Sequence, residues 1–203
     1  MDLIVLVADK NMQFALEGLL GRHESLGIRP IVTQILVHPR RDSGTLRECH
    51  VFLRPWLREA ACALVMLDRE GCGSNASRHE LEAEVRERLV QNGWPDRSAA
   101  VVIDPELDVW VWNDSPHVAT ALHWPAGQVT LRDWLIKTHY LEEGHPKPLR
   151  PKEAMEAVLQ LSKTPRSSSI YREIAGRVSF QRCTDPAFMK LRSVLAGWFP
   201  PLG

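Results

Sequence analysis

The chain has 203 residues, 44% hydrophobic and 25% charged, an ordinary globular composition with room for one large domain or a domain with an appendage. Its 25 Lys and Arg balance its 25 Asp and Glu, so no global positive field advertises nucleic acid, although a local patch stays open. There is no run of about 18 apolar residues to span a membrane, and Cys49, Cys62, Cys72 and Cys183 have no C-x-x-C spacing, which argues for reduced cytosolic thiols and against a structural zinc.

The first half alternates strand and helix signals. Leu3–Ala8 is an apolar run ending in Asp9, and it reads as a first strand rather than a secretion signal because no basic segment precedes it. Asn11–His23 has Phe14, Leu16, Leu19 and Leu20 at helical spacing, with Gly27 as a stop. Ile28–Val37 is rich in β-branched residues and predicts a second strand, followed by the loop His38–Gly44. A helix is expected over Leu46–Leu57, disturbed by Pro55. Ala61–Leu67 predicts a third strand that ends abruptly in Asp68-Arg69-Glu70-Gly71. Ser77 and Glu80 form a capping box that opens a helix to about Gln91, closed by Asn92-Gly93. Ala99–Ile103 is a fourth strand. This order predicts an α/β fold with a mostly parallel sheet flanked by helices.

Beyond Asp104 the character changes. Glu106–Trp112 is aromatic-rich, and helices are expected over Pro116–Leu122, Leu131–Tyr140, Lys152–Leu161, Ser167–Ala175 and Asp185–Trp198. The C-terminal half is therefore largely helical. The expected organisation is an α/β core over residues 1–104 and a helical extension over 105–203 packed on it, or one continuous domain.

Parallel strands present their C-terminal ends on one sheet edge, where open α/β sheets hold ligands. Asp9 follows strand one, Asp68 and Glu70 end strand three, and Asp104, Glu106 and Asp108 follow strand four. Convergent carboxylates repel each other, and a hard divalent cation such as Mg²⁺ or Mn²⁺ is the usual relief. Asp9, Asp68 and Glu70 are the candidate metal ligands. The acids have plainer readings: Asp9 as a helix N-cap, Asp68 with Glu70-Gly71 as turn chemistry, and Asp104 as a turn residue. Arg69, between Asp68 and Glu70, is placed to neutralise either.

Basic and hydroxyl residues of the second half are candidate phosphate contacts, above all Arg166, Ser168 and Arg172, with helix capping as the alternative for the serines. Lys152 at a helix start sits unfavourably in the helix dipole unless it has a partner, which points to a role. His38 is a ligand, an acid/base group or a structural loop histidine, with the same choice at His117. Trp110, Trp112, Trp124 and Trp134 are base-stacking or core residues. No P-loop, H-E-x-x-H or G-x-S-x-G motif occurs.

The layout of strand, acid, helix, then strand, Asp68-Arg69-Glu70 and glycine resembles the Toprim domain of topoisomerases, primases and overcoming-lysogenisation-defect nucleases. That domain usually has Glu-Gly at the first motif and D-x-D at the second, where this chain has Asp9-Lys10 and Asp68-Arg69-Glu70. Nearly the whole chain is similar to small Toprim-like proteins of bacterial phage-defence loci, through Pro105-Glu106-Leu107-Asp108-Val109-Trp110 and the tail element Cys183 to Phe188. Among these it looks like a small component of the methylation-associated defence systems. The resemblance implies a Toprim-like fold, an anti-phage setting, and partners among the other subunits of a defence system, with DNA or RNA as a further partner. The first functional expectation is a Mg²⁺- or Mn²⁺-dependent nuclease of the Toprim type, with Asp9, Asp68 and Glu70 on the metal, Glu106 as further ligand or general base, and Lys152 on the scissile phosphate. The alternative is a non-catalytic assembly or sensor subunit.

Overall fold

The computed structural model describes residues 1–125, 127, 129–179 and 183–201. Four strands, β1 (Leu3–Val7), β2 (Thr33–Val37), β3 (Cys62–Asp68) and β4 (Ser98–Ile103), form an all-parallel sheet in the order β2-β1-β3-β4. Side chains alternate between the two faces. Leu3, Val5, Val7, Leu64, Met66, Val101 and Ile103 enter one hydrophobic cluster, and Ile4, Leu6, Val65, Leu67 and Val102 enter the other. Both faces are therefore buried at β1, β3 and β4, which is why those strands read as continuous apolar runs, whereas the edge strand β2 is only half-buried.

Helix α1 (Lys10–Leu20), with the short α2 (His23–Leu26), makes the β1–β2 connection and packs Met12, Ala15, Leu16 and Leu19 into the first cluster. Helices α3 (Arg41–Leu53) and α4 (Arg78–Gln91) connect β2 to β3 and β3 to β4 and pack into the second. Opposite faces for these connections are what right-handed crossovers demand when the strand order reverses between β1 and β3. One consequence is that α1 alone cannot cover the β3–β4 half of its face.

The C-terminal half fills that gap. It comprises a 3₁₀ turn (Leu107–Trp110), α5 (Pro116–Ala121), α6 (Leu131–Lys137), α7 (Pro151–Leu161), α8 (Ser168–Arg177) and α9 (Pro186–Trp198). Helix α9 lies against β4, and α8 lies along α1. The α1–α8 approach depends on Gly18, where a Cβ would stand 2.6 Å from the Arg172 carbonyl oxygen. Arg22 then donates to the Ala175 and Val178 carbonyls at 3.0 and 2.7 Å, closing the end of α8. The two halves share one core.

Several helix ends follow their local sequence signals. Ser77 and Glu80 make the reciprocal capping box of α4. Gly27, at φ 73°, closes α2 in the left-handed conformation that favours glycine. Other expectations shift. The predicted loop after His38 is already helical from Arg41, and Pro55 converts the end of that segment into a 3₁₀ turn, Arg54–Trp56. No helix among the described residues is long and apolar enough to cross a membrane.

Candidate functional site

The strand order reverses between β1 and β3, and a cleft of about 630 Å³ opens at the C-terminal edge there. Every strand end contributes to it. Asp9 follows β1 and caps α1, accepting from the Met12 N–H at 2.9 Å. It is thus an N-cap and a wall of the cleft at once. Asp42, in the first turn of α3 after β2, accepts from the Asp68 N–H at 2.8 Å and ties the β2 end to the β3 end. Asp68 closes β3 on the face shared with Leu64 and Met66. Its Oδ1 is buried and makes no hydrogen bond among the described residues.

Glu70 lines the same cleft, held by its own N–H donating to the Pro105 carbonyl at 3.0 Å. The expectation that Arg69 neutralises its neighbours is corrected: alternation sends its side chain the other way, where it pairs with Asp104 at 3.4 Å and donates to the Ala76 carbonyl. Past β4, Glu106 stands 3.8 Å from Lys152 Nζ at the start of α7. Asp108 is buried and accepts from Arg166 at 2.8 and 3.1 Å and from the Tyr171 hydroxyl at 2.9 Å.

Burial pushes the Asp68 carboxyl well above the ordinary range, and the charges of Asp42, Asp9, Glu106 and Asp108 add to the effect. Burial also raises Asp42, opposed by the hydrogen bond from Asp68. Glu106 is raised by burial and by Asp108, against the pull of Lys152. Asp108 is raised by burial despite Arg166 and Tyr171. The cleft is lined by six carboxylates (Asp9, Asp42, Asp68, Glu70, Glu106, Asp108) and four cations (Arg40, Arg41, Lys152, Arg166), an excess of two negative charges when all are ionised.

The structure brings Asp9, Asp68, Glu70, Glu106 and Lys152 together in one cleft, with Arg166 on its wall. Arg166 is engaged there by Asp108, Glu156 and Tyr171. Ser168 and Arg172 do not line the cleft. Ser168 donates to the Asn11 side chain at 2.8 Å, and Arg172 pairs with Glu17 and lies 4.2 Å over the Phe14 ring, so both join α8 to α1. His38 is buried, its Nδ1 accepting from the Arg40 N–H at 3.1 Å, a structural loop histidine. Trp112 is a core residue donating to the Pro151 carbonyl, and Trp110 donates to Asp185.

Asp42 is a cleft residue that no local motif marks. The only available signal was an acid in the loop after strand two, at the same edge as Asp9 and Asp68.

All donors in the cleft are oxygens, the preference of a hard divalent cation. Among the described residues no three His, Cys, Asp or Glu side chains form a ready metal-binding group. Mg²⁺ keeps several waters and takes one or two carboxylates, so Asp68 with its unpartnered oxygen, beside Asp9 and Asp42, suits it without a full protein cage. Comparison with known family models, curated proteins and solved structures found no match.

Proposed function

We propose that this chain is a Toprim-like protein that binds Mg²⁺ or Mn²⁺ in the strand-end cleft and cleaves nucleic-acid phosphodiesters, in an anti-phage setting. The observation that carries the reading is Asp68: a carboxylate at the sheet's switch point, with a buried, unpartnered oxygen, crowded by Asp42 and Asp9. Burying carboxylates together is costly unless a cation joins them. Asp68, with Asp9 or Asp42 beside it, would hold the ion and waters would complete its shell, with Glu70 at the same wall.

A bound divalent ion would supply charge stabilisation at phosphoryl oxygen and a more acidic water. The chain's own groups account for the rest. Glu106, whose carboxyl is raised by burial and by Asp108, lines the cleft and would serve as the general base. Lys152 beside it offers a positive charge to a phosphate or to the developing charge of the reaction. Arg166 and Tyr171 hold Asp108, so the segment carrying Glu106 is braced from α8.

A second reading, a non-catalytic assembly or sensor subunit of a defence system, is favoured by the ion pairs Glu106–Lys152 and Asp108–Arg166, which satisfy part of the cleft internally. Metal-dependent cleavage separates the two. Wild-type protein is expected to cut DNA or RNA in Mn²⁺ or Mg²⁺, and Asp68→Asn to lose roughly 100-fold or more. The cation is also expected to raise the melting temperature of the wild type and not of Asp68→Asn. Equal cleavage by both proteins, or none by either, would leave the assembly reading in place.

A further inference from the structure

Of the four cations on the cleft wall, three have acidic partners. Arg40 pairs with Glu48, Lys152 with Glu106, and Arg166 with Asp108 and Glu156. The fourth, Arg41, is exposed, and its guanidinium makes no hydrogen bond or ion pair among the described residues. None of the six carboxylates of the wall holds it in an ion pair or hydrogen bond. The neighbouring Asp42, which draws a favourable charge interaction from it, directs an oxygen to the Asp68 N–H instead.

The backbone beneath Arg41 is built for this placement. Arg41 has φ 48°, a left-handed conformation uncommon for a residue with a side chain. It is imposed from behind. The buried His38 ring accepts the Arg40 N–H and lies 4.9 Å from the Phe52 ring. Gly44 leaves room for that ring, since a Cβ there would stand 2.3 Å from it. The turn delivers Arg41 to the cleft as the first residue of the 13-residue helix α3, whose positive end adds to the same wall.

We propose that Arg41 is the substrate-phosphate contact of the cleft, its guanidinium gripping non-bridging oxygens of a single-stranded nucleic-acid phosphodiester. This rests on the phosphodiester reading above. Arginine's planar fork suits paired phosphate oxygens, and an unpaired one need break no ion pair to bind. The cleft has the volume of a small-molecule site, about 630 Å³, which takes a nucleotide-sized piece of one strand and not the breadth of a duplex.

The test is binding of a fluorescent single-stranded oligonucleotide by the full chain, in chelator, across a salt series, alongside cleavage in Mn²⁺. Arg41→Gly suits the left-handed backbone and is expected to melt no lower than the wild type. It should bind roughly tenfold more weakly, with the salt slope reduced by about 0.7, the value for one phosphate contact on a single strand. Arg41→Lys should keep the slope and lose part of the affinity. Arg58→Ala, on the exposed loop before β3 at the opposite sheet edge, should bind like the wild type. Unchanged affinity and slope in Arg41→Gly, an equal loss in Arg58→Ala, or no binding by the wild type overturns the assignment. Binding that depends on Arg41 without any metal-dependent cleavage leaves Arg41 as the phosphate contact and removes the nuclease.

Discussion

Asp68 concentrates the electrostatic conflict of the molecule. Its carboxyl, like those of Asp42, Glu106 and Asp108, has a folded-state pKa raised above the ordinary carboxylate value. The folded chain therefore holds protons that the unfolded chain has already released. That contribution to stability is complete below the ordinary value near 4 and is lost as pH rises through the raised pKa values. His38, lowered by burial and by Arg40, works in the opposite sense, because acid must charge it in place. The clean readout is consequently a difference. Without divalent ions, Asp68→Asn should melt above the wild type by at least ~2 °C at about pH 8, the shift that about 1 kcal/mol produces in a chain of this size. At about pH 5 the gain should be smaller, because lowering the pH protonates a larger share of Asp68 and a protonated carboxyl resembles Asn. Thermal melts at both pH values check this, and a gain independent of pH would remove the buried-charge account.

At the scale of elements, the turn between β2 and α3 does more than connect. His38 packs under Gly44 and against Phe52, and the backbone leaves this knot through Arg41 and Asp42 into the cleft. Gly44→Ala would drive a methyl group into the His38 ring, where the nearest atoms are 2.3 Å away. Overpacking of this kind costs about 1–3 kcal/mol. The turn should move with it and carry Arg41 and Asp42 off the wall. Chemical denaturation should report the lost stability, and divalent-ion-dependent stabilisation should weaken in the same variant. Full retention of the ion effect would place Asp42 outside the site.

For the whole molecule, the strand order explains why the helical half exists. The right-handed crossovers of β2–β1–β3–β4 leave the β3–β4 half of one sheet face uncovered, and α9 and its neighbours bury Leu64, Met66, Val101 and Ile103 there. Burying each such side chain is worth about 1.5–3 kcal/mol. Together they approach the whole stability of a typical domain, about 5–15 kcal/mol. A chain cut after Asp104 should therefore fail to fold cooperatively, with loss of a sigmoidal melt by circular dichroism as the measurement. A sharp melt near that of the full chain would make residues 1–104 an independent unit.

The sequence by itself determined what depends on neighbours along the chain. Apolar runs specify β1, β3 and β4 because both faces of the sheet are buried there, whereas the edge strand β2 is only half-buried and is marked by its β-branched residues. Ser77 and Glu80 start α4 because a capping box closes within one turn. The acids after strands one, three and four were legible because parallel strands bring such residues to one edge. Tertiary structure decided what depends on which strand lies beside which. Asp42 joins Asp68 only because the β2 end reaches the switch point. Arg166 is committed to Asp108, 58 residues away, and Arg172 to Glu17, 155 residues away, so neither was readable as an ion-paired residue from its own segment. Charges pair through space and helices cap through sequence. The cleft's acids could thus be anticipated, while the identity of its one unpaired cation among the described residues, Arg41, could not.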